Sequence, residues 1–97
     1  MRLRHVVLFG FADSTDQLAI ADVVRGFAAF QTSIAGIDAL ESGQNCSPEG
    51  LHRQHTHAFV LTFSNEEARD AYLTHPQHVA FADGVKPLLT SATVVDY

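Results

Sequence analysis

Cysteine is almost absent from this chain of 97 residues, and Cys46 is the only one. A lone cysteine rules out a disulfide framework, or a zinc site built on cysteines, within one chain. Basic residues are also scarce: one lysine and five arginines stand against eleven acidic residues, and the formal net charge is −5. Because no basic patch alternates with aromatic residues, nucleic acid is not an expected partner.

Long hydrophobic runs are missing as well. No apolar stretch approaches the roughly 18 to 20 residues that span a membrane. The first residues, Met1 to His5, lead directly into a strand-like run without the apolar region of a signal peptide. The length suits one domain with a modest core. We therefore expect a single domain over residues 1–97, located in the cytoplasm and without a membrane partner.

Four segments have the composition of β-strands. Residues 5–11 and 57–63 are rich in β-branched and aromatic side chains, which favours strands strongly. Residues 38–45 predict a weaker second strand, and residues 91–96 predict a closing strand.

One long helix is predicted between the first two strands. The segment from Ser14 to Gln17 is a capping-box pattern, which marks a helix start, and Gly36 is expected to end the helix. Apolar residues recur between them at alternating spacings of three and four, which is the stripe of a helix packed on a core. These residues are Ile20, Val23, Phe27, Phe30 and Ile34.

A second helical region should be interrupted in its middle. Ser64 to Glu67 is another capping-box pattern, and the helix is expected to run to about Leu73. Pro76 suits the first position of a new helix, because its missing N–H would have no partner there anyway. We therefore predict a break at Thr74 and His75, with a short helix starting at Pro76.

The element order predicts an α+β fold. Strand, helix, strand, strand, helices and strand follow the ferredoxin-like βαββαβ plan, which gives a four-stranded antiparallel sheet with helices on one face. The other face is also apolar in sequence, as Val6, Leu8, Ala58 and Val60 show. Because apolar surface in water costs roughly 25 cal/mol per Å², we predict that a second copy of the chain covers this face and makes a homodimer.

Several segments, in order, resemble the stress-responsive A/B barrel (Dabb) domain family. They are His5-Val-Val-Leu-Phe, Asn45-Cys-Ser-Pro-Glu-Gly, Thr56-His-Ala-Phe-Val-Leu-Thr-Phe, Tyr72-Leu-Thr-His-Pro-Gln-His-Val-Ala-Phe and Val94-Val-Asp-Tyr. The resemblance covers nearly the whole chain. It implies a dimeric α+β barrel, in which two sheets press together across a twofold axis.

The family resemblance also implies a site. A characterised plant member cyclises a linear polyketide thioester by an intramolecular aldol condensation without metal or organic cofactor. His78 matches its catalytic base, Tyr72 matches the partner of that base, and His5 and His57 match other pocket positions. Phe27 departs from the pattern, because a tyrosine is expected there, and this puts turnover of the same substrate in question.

The residues themselves allow the same chemistry. His78 falls in the first turn after Pro76, where the positive end of the helix dipole favours a neutral imidazole that can act as a base. Alternation along the strands places His5 and His57 on equivalent faces, from which both are expected to enter one cleft with Phe27, Tyr72 and His78. The structural alternative is that the histidines cap helices or form hydrogen bonds with the backbone. Tyr72 would then lie at the edge of the core with its hydroxyl in contact with solvent.

Three functions are compatible with this pattern. The first is a pocket for a small hydrophobic ligand, with cofactor-free cyclase or proton-transfer catalysis by His78. The second is a non-enzymatic, stress-associated structural protein, and the third is a cofactor-independent monooxygenase-like enzyme.

His52, His55 and His57 lack a nearby acid to complete a metal triad, so no metal site is predicted. Cys46 has no assigned base and is interpreted as a spectator.

Overall fold

The computed structural model describes all 97 residues and contains four strands and three α-helices. In chain order these are β1 (Leu3–Phe11), α1 (Gln17–Ser33), β2 (Ile37–Gln44), β3 (His57–Phe63), α2 (Glu66–Thr74), α3 (Pro76–Val85) and β4 (Leu89–Asp96), with a 3₁₀ turn at Lys86–Leu88 before the last strand. None of the helices combines the length and the apolar character that crossing a bilayer requires.

The strands form one antiparallel sheet in the order β2-β3-β1-β4. This order confirms the predicted ferredoxin-like fold. In the central register Val7 lies opposite Phe59 on β3 and opposite Val94 on β4. Because cross-strand partners point to the same face, this register decides which side chains share a surface.

The helices cover one face of the sheet, called here the covered face, and the core lies between them. The covered face supplies alternate residues of β1 and β3, and α1 supplies the middle of its predicted apolar stripe. The buried hydrophobic residues are Leu3, Val7, Phe9, Phe11, Val23, Phe27, Phe30, Ile34, Ile37, Phe59, Leu61, Phe63, Tyr72 and Val85.

The opposite face, called here the open face, carries Val6, Leu8, Ala58, Val60 and Val95. Val6 lies opposite Val60 on one side and Val95 on the other, so an apolar row crosses the sheet. No element of the same chain packs on this row, and Val95 retains 56% of its exposure. The apolar composition of both faces, predicted from sequence, is therefore present in the folded chain.

Both long helical segments begin later than the capping boxes predicted. The carboxylate of Asp16, not the side chain of Ser14, accepts hydrogen bonds from the backbone N–H groups of Leu18 and Ala19, at 2.7 and 3.2 Å. Asn65 rather than Ser64 caps α2, accepting from the N–H of Ala68 at 2.8 Å. Asp and Asn are about as favourable as Ser at the N-cap position of a helix.

The helix ends differ from the glycine signals as well. Helix α1 ends at Ser33, and Gly36 lies in the turn that follows it, with a φ of +93°. The interruption at His75 is confirmed, and the His75 side chain accepts a hydrogen bond from the N–H of Gln77 at 3.1 Å, capping α3. Helix α3 then runs to Val85.

Candidate active site

A cavity of about 240 Å³ lies between the covered face and helices α2 and α3. Four of the five predicted site residues line it: His5, Phe27, Tyr72 and His78. The rest of the lining is apolar apart from Lys86, and consists of Val7, Phe9, Leu73, Phe81, Ala82, Val85, Leu89, Ala92 and Val94. An apolar cavity with a few polar groups is the usual form of a small-molecule site.

His78 has one ring nitrogen bound and one free. Its Nδ1 lies 3.2 Å from the backbone carbonyl oxygen of Leu73, at the end of α2. A carbonyl only accepts, so Nδ1 carries the hydrogen and Nε2 of the neutral ring keeps its lone pair. Burial lowers the pKa of His78, with smaller contributions from the neighbouring His5 and His75, although the Leu73 carbonyl opposes them. The environment therefore favours a neutral imidazole.

Tyr72 is fully buried beside this ring. The Tyr72 and His78 ring centroids are 4.2 Å apart with a tilt of 39°. No protein group forms a hydrogen bond with the Tyr72 hydroxyl, and burial raises the pKa of Tyr72 well above its usual range. The hydroxyl is therefore a proton-bearing donor, and leaving it unpaired costs about 1–3 kcal/mol that a bound acceptor would recover.

His5 lines the same cavity from β1 and is only 5% exposed. Its Nδ1 lies 2.6 Å from a carboxylate oxygen of Asp96 on β4, and the ring meets Tyr72 edge-on at a centroid distance of 5.8 Å. The second oxygen of Asp96 accepts a hydrogen bond from Arg69 on α2 at 2.6 Å. Sequence reasoning missed Asp96 and Arg69. Pairing of the first and last strands, expected for this fold, could have found Asp96.

Phe27 forms the apolar floor of the cavity. It is nearly fully buried, stacks on Phe59 at a centroid distance of 4.4 Å, and meets Phe81 edge-on at 5.2 Å. A phenylalanine here offers no hydroxyl to a ligand, so the polar side chains that line the cavity are those of His5, Tyr72, His78 and Lys86.

The structure does not bring His57 into this cavity, which corrects the expectation of one shared cleft. His57 does point to the covered face, opposite Phe9. However, His5 lies opposite Leu61, four residues further along β3, and four residues of strand span roughly 13 Å. The His57 ring packs on Phe11 at 5.2 Å and its Nδ1 lies 2.9 Å from the Thr56 hydroxyl. Burial lowers the pKa of His57.

His57 instead lines a separate cavity of about 480 Å³ beside the loop of residues 45–56. His52, His55 and Cys46 also line this second cavity. No three histidine, cysteine or acidic side chains are grouped closely enough to hold a metal ion, and the thiol of Cys46 is exposed.

Two curated relatives match almost the full chain. A family model described as the stress responsive A/B barrel domain matches residues 3–97. The stress-response A/B barrel domain-containing protein HS1 of Arabidopsis thaliana is 35% identical over 95 residues, which cover 98% of this chain and 87% of that protein. Olivetolic acid cyclase of Cannabis sativa is 21% identical over 97 residues, covering 100% of this chain and 96% of the cyclase.

Solved structures share the fold. The hydroxynitrile lyase from Passiflora edulis superposes with a TM-score of 0.92 at 20% identity, covering 99% of this chain and 91% of the lyase chain. A dimeric protein of unknown function with a ferredoxin-like fold, from Bacteroides fragilis, superposes with a TM-score of 0.76 at 28% identity, covering 99% and 94% of the two chains. The structural neighbours of this chain thus include dimeric ferredoxin-like proteins.

Proposed function

Because the chain belongs to the stress-responsive A/B barrel domain family, we propose that it is a homodimer with an enzymatic site in each subunit. The cavity between the covered face and the helices binds a small organic molecule with an apolar chain. The site catalyses proton transfer from a carbon next to a carbonyl group of that molecule. The observation that carries the proposal is the pairing of two groups at one cavity: the free Nε2 of His78 and the unpaired hydroxyl of Tyr72. Nε2 of His78 can take a proton, and the hydroxyl of Tyr72 can donate a hydrogen bond to an oxygen atom of the ligand.

The proposed reaction uses these side chains in two steps. Nε2 of His78 takes a proton from the carbon next to a carbonyl, and the C–H electron pair moves into an enolate whose oxygen accepts a hydrogen bond from Tyr72. The enolate carbon then attacks a second carbonyl of the same ligand. A carbon–carbon bond forms, and the proton on His78 passes to the new alkoxide, which restores the base.

The lining supports a ligand that combines an apolar chain with carbonyl groups. Phe27, Phe81 and Val85 give the apolar chain of the ligand a matching surface, while His5, Tyr72 and His78 supply polar groups beside one another. The names of two relatives, olivetolic acid cyclase and hydroxynitrile lyase, support an enzymatic function on this fold. Because Phe27 supplies no hydroxyl, the proposal does not extend to the substrate of the cyclase.

A non-enzymatic role in a stress response is the second candidate. The name of the relative HS1 supports it. In that case the cavity would need no ligand, and His78 and Tyr72 would serve only packing. The two candidates differ in one measurable property, which is the ability of the pocket to remove a proton from carbon.

Deuterium exchange tests the proposal directly. A medium-chain 3,5-dioxo thioester is incubated in D₂O with the protein, and incorporation at the carbons between the carbonyls is followed by NMR against the uncatalysed rate. We expect acceleration by the parent protein and a loss of at least about 100-fold in H78A, since a positioned base contributes that much. The matched control is H52A, because His52 lies on the loop outside this cavity.

The outcomes separate the candidates. No acceleration by the parent would contradict the proton-transfer proposal and favour the non-enzymatic role. Acceleration that survives in H78A would reject His78 as the base. Repeating the assay without oxygen tests the monooxygenase-like alternative, which predicts a product that forms only in air.

A further inference from the structure

One face of helix α3 lines the pocket from the first turn of the helix to its end. Its residues follow one another at the spacings i, i+3, i+4, i+7 and i+8, which form a single stripe on a helix. They are His78, Phe81, Ala82, Val85 and Lys86. Lys86 directly follows α3 and keeps α-helical backbone angles, so it continues the stripe. The stripe is therefore polar at both ends and apolar between them.

The proposed base lies at the start of this stripe. The His78 ring packs on Tyr72 at a centroid distance of 4.2 Å, and His5 reaches the same tyrosine from β1 at 5.8 Å. Lys86 lies eight residues beyond His78, which corresponds to roughly 12 Å along the helix axis. The last strand supports this placement, because Leu89, three residues after Lys86, pairs with the last residue of β1. The cavity therefore places a cation and the proposed base at opposite ends of an apolar stretch.

The positive charge of Lys86 is only loosely paired within the chain. Lys86 is the only lysine or arginine that lines the cavity, and no acidic side chain lines it. Its Nζ lies 3.7 Å from Asp83 Oδ1, too far for a charge-assisted hydrogen bond, which spans roughly 2.7–2.9 Å. The side chain is 74% exposed, so it meets solvent at the edge of the cavity. An ammonium group has three hydrogens to donate, and Lys86 can therefore bind an incoming anion.

We propose that Lys86 is a specificity-determining residue that binds a carboxylate of the ligand, so that the pocket takes an oxo acid with its carbonyl at the opposite end. The apolar chain of this ligand lies along Phe81 and Val85. The position of the carbonyl rests on the proposed function, whereas the contact between Lys86 and the carboxylate does not. A lysine at the C-terminal end of a helix is also favoured by the helix dipole, but that role alone predicts no effect on ligand selectivity.

Binding of two ligands that differ only in the carboxylate tests the proposal without any turnover. In 7-oxooctanoate a carboxylate replaces the terminal methyl group of 2-octanone, and both keep the same methyl ketone. Their dissociation constants are measured from ¹H–¹⁵N NMR spectra of the labelled protein at pH 7 and low salt. The selectivity is the dissociation constant of the ketone divided by that of the acid.

The variant K86Q should lose this selectivity. We expect it to fall at least about threefold, the size expected for one exposed ion pair, through weaker binding of the acid alone. Added salt should lower the selectivity of the parent more than that of K86Q, because salt screens exposed charges.

Three further variants make the test specific. D83N removes the carboxylate that competes for Lys86 and should raise the selectivity, which keeps the proposal falsifiable if K86Q unfolds. K86R retains the positive charge and should stay close to the parent. R25Q is the matched control and should leave the selectivity unchanged. Arg25 pairs with Asp22 on α1 at the same i, i+3 spacing, is similarly exposed and does not line the cavity.

The opposite results would overturn the proposal. Selectivity in K86Q equal to that of the parent, or equal weakening of both ligands, would show that Lys86 serves only structure. A parent protein that binds neither ligand would overturn the proposal as well. The deuterium-exchange assay reports on proton transfer by His78, whereas selectivity reports on Lys86. A parent that binds the acid through Lys86 without accelerating exchange would contradict the proposed function and support the role given to Lys86, so the two proposals can fail separately.

Discussion

The two faces of the sheet have similar apolar composition and different neighbours. On β1, Val7 faces the helices and is buried, whereas the adjacent Val6 faces the other way and is only partly buried. The same contrast recurs on β3 between Phe59 and Val60. Alternating burial within one chain, combined with apolar residues on both faces, shows that the sheet needs a second layer that the chain does not supply.

The faces also differ in where they place polar groups. The covered face and its helices bring His5, Tyr72, His78 and Asp96 around one cavity. The central row of the open face consists of Val60, Val6 and Val95. Buried polar groups cost free energy unless they are paired, and their concentration on one face is the basis of the function proposed for that face. The uniformly apolar row on the open face indicates association between two copies of the chain.

The largest expected effect follows from placing a charge on the open face. Val6→Asp puts a carboxylate between Val60 and Val95, and a twofold dimer would bury two of them. We expect a cost on the order of 5 kcal/mol, which corresponds to an increase of more than about a thousandfold in the dissociation constant. Sedimentation equilibrium at micromolar concentration should show a dimer for the parent and monomer or unfolded chain for the variant.

The same substitution on an exposed helix is the control. Val79→Asp lies on α3, where Val79 is 45% exposed and outside the cavity lining. It should leave the sedimentation profile unchanged. A parent protein that sediments as a monomer would contradict the role given to the open face.

The next largest effect belongs to the covered face. Phe59 is fully buried and stacked on Phe27, so Phe59→Ala should lower the free energy of unfolding by about 4 kcal/mol through lost burial and a new cavity. Chemical denaturation measures this loss. Phe59→Leu, which retains most of the apolar volume, should lose clearly less, and the folded fraction of both variants should still sediment as a dimer.

Sequence alone predicted the elements and the two apolar faces because both depend on local patterns. Alternation in residues 5–11 and 57–63 identifies strands and faces without any knowledge of their partners. The helix starts were wrong by one or two residues, since Ser14 and Asp16, or Ser64 and Asn65, compete for the same cap.

The site was predictable only in part because it depends on register. Alternation placed His5 and His57 on the same face correctly, but it contains no information on how far apart they lie along the sheet. Only the pairing of β1 with β3 shows that His57 is displaced by four residues from the partner of His5. Arg69 and Asp96 are 27 residues apart, and no local pattern links them.

A smaller effect, of opposite sign, is expected at Tyr72. Tyr72→Phe removes a buried hydroxyl that no protein group satisfies, so the free energy of unfolding should rise by about 1 kcal/mol. The same change should weaken acceleration of deuterium exchange. Tyr97→Phe removes a hydroxyl from a residue that is 75% exposed and should alter neither quantity. A destabilised Y72F variant would indicate that the hydroxyl has a partner in solution.

The smallest expected effect is the pH dependence of stability that arises from His78. Burial lowers the pKa of His78 in the folded chain below its ordinary value of 6.5, so below about pH 6.5 the unfolded chain binds a proton that the folded chain resists. Stability from this residue is therefore fully present above pH 6.5 and declines on acidification until the folded-state pKa is passed. Thermal unfolding of the parent should show a midpoint that falls between pH 7 and pH 5.

Replacing His78 with Gln should flatten that decline, whereas replacing the exposed His52 should not. His57 contributes to the pH dependence of stability in the same direction, since burial lowers its pKa too. His57→Gln should therefore remove a separate part of the decline in stability on acidification. Because His78 lies on α3 and His57 lies on β3 outside the cavity that His78 lines, the two contributions should add in the double variant. An unchanged slope in H78Q would show that the pKa of His78 is the same in the folded and unfolded chains, contrary to the expected effect of burial.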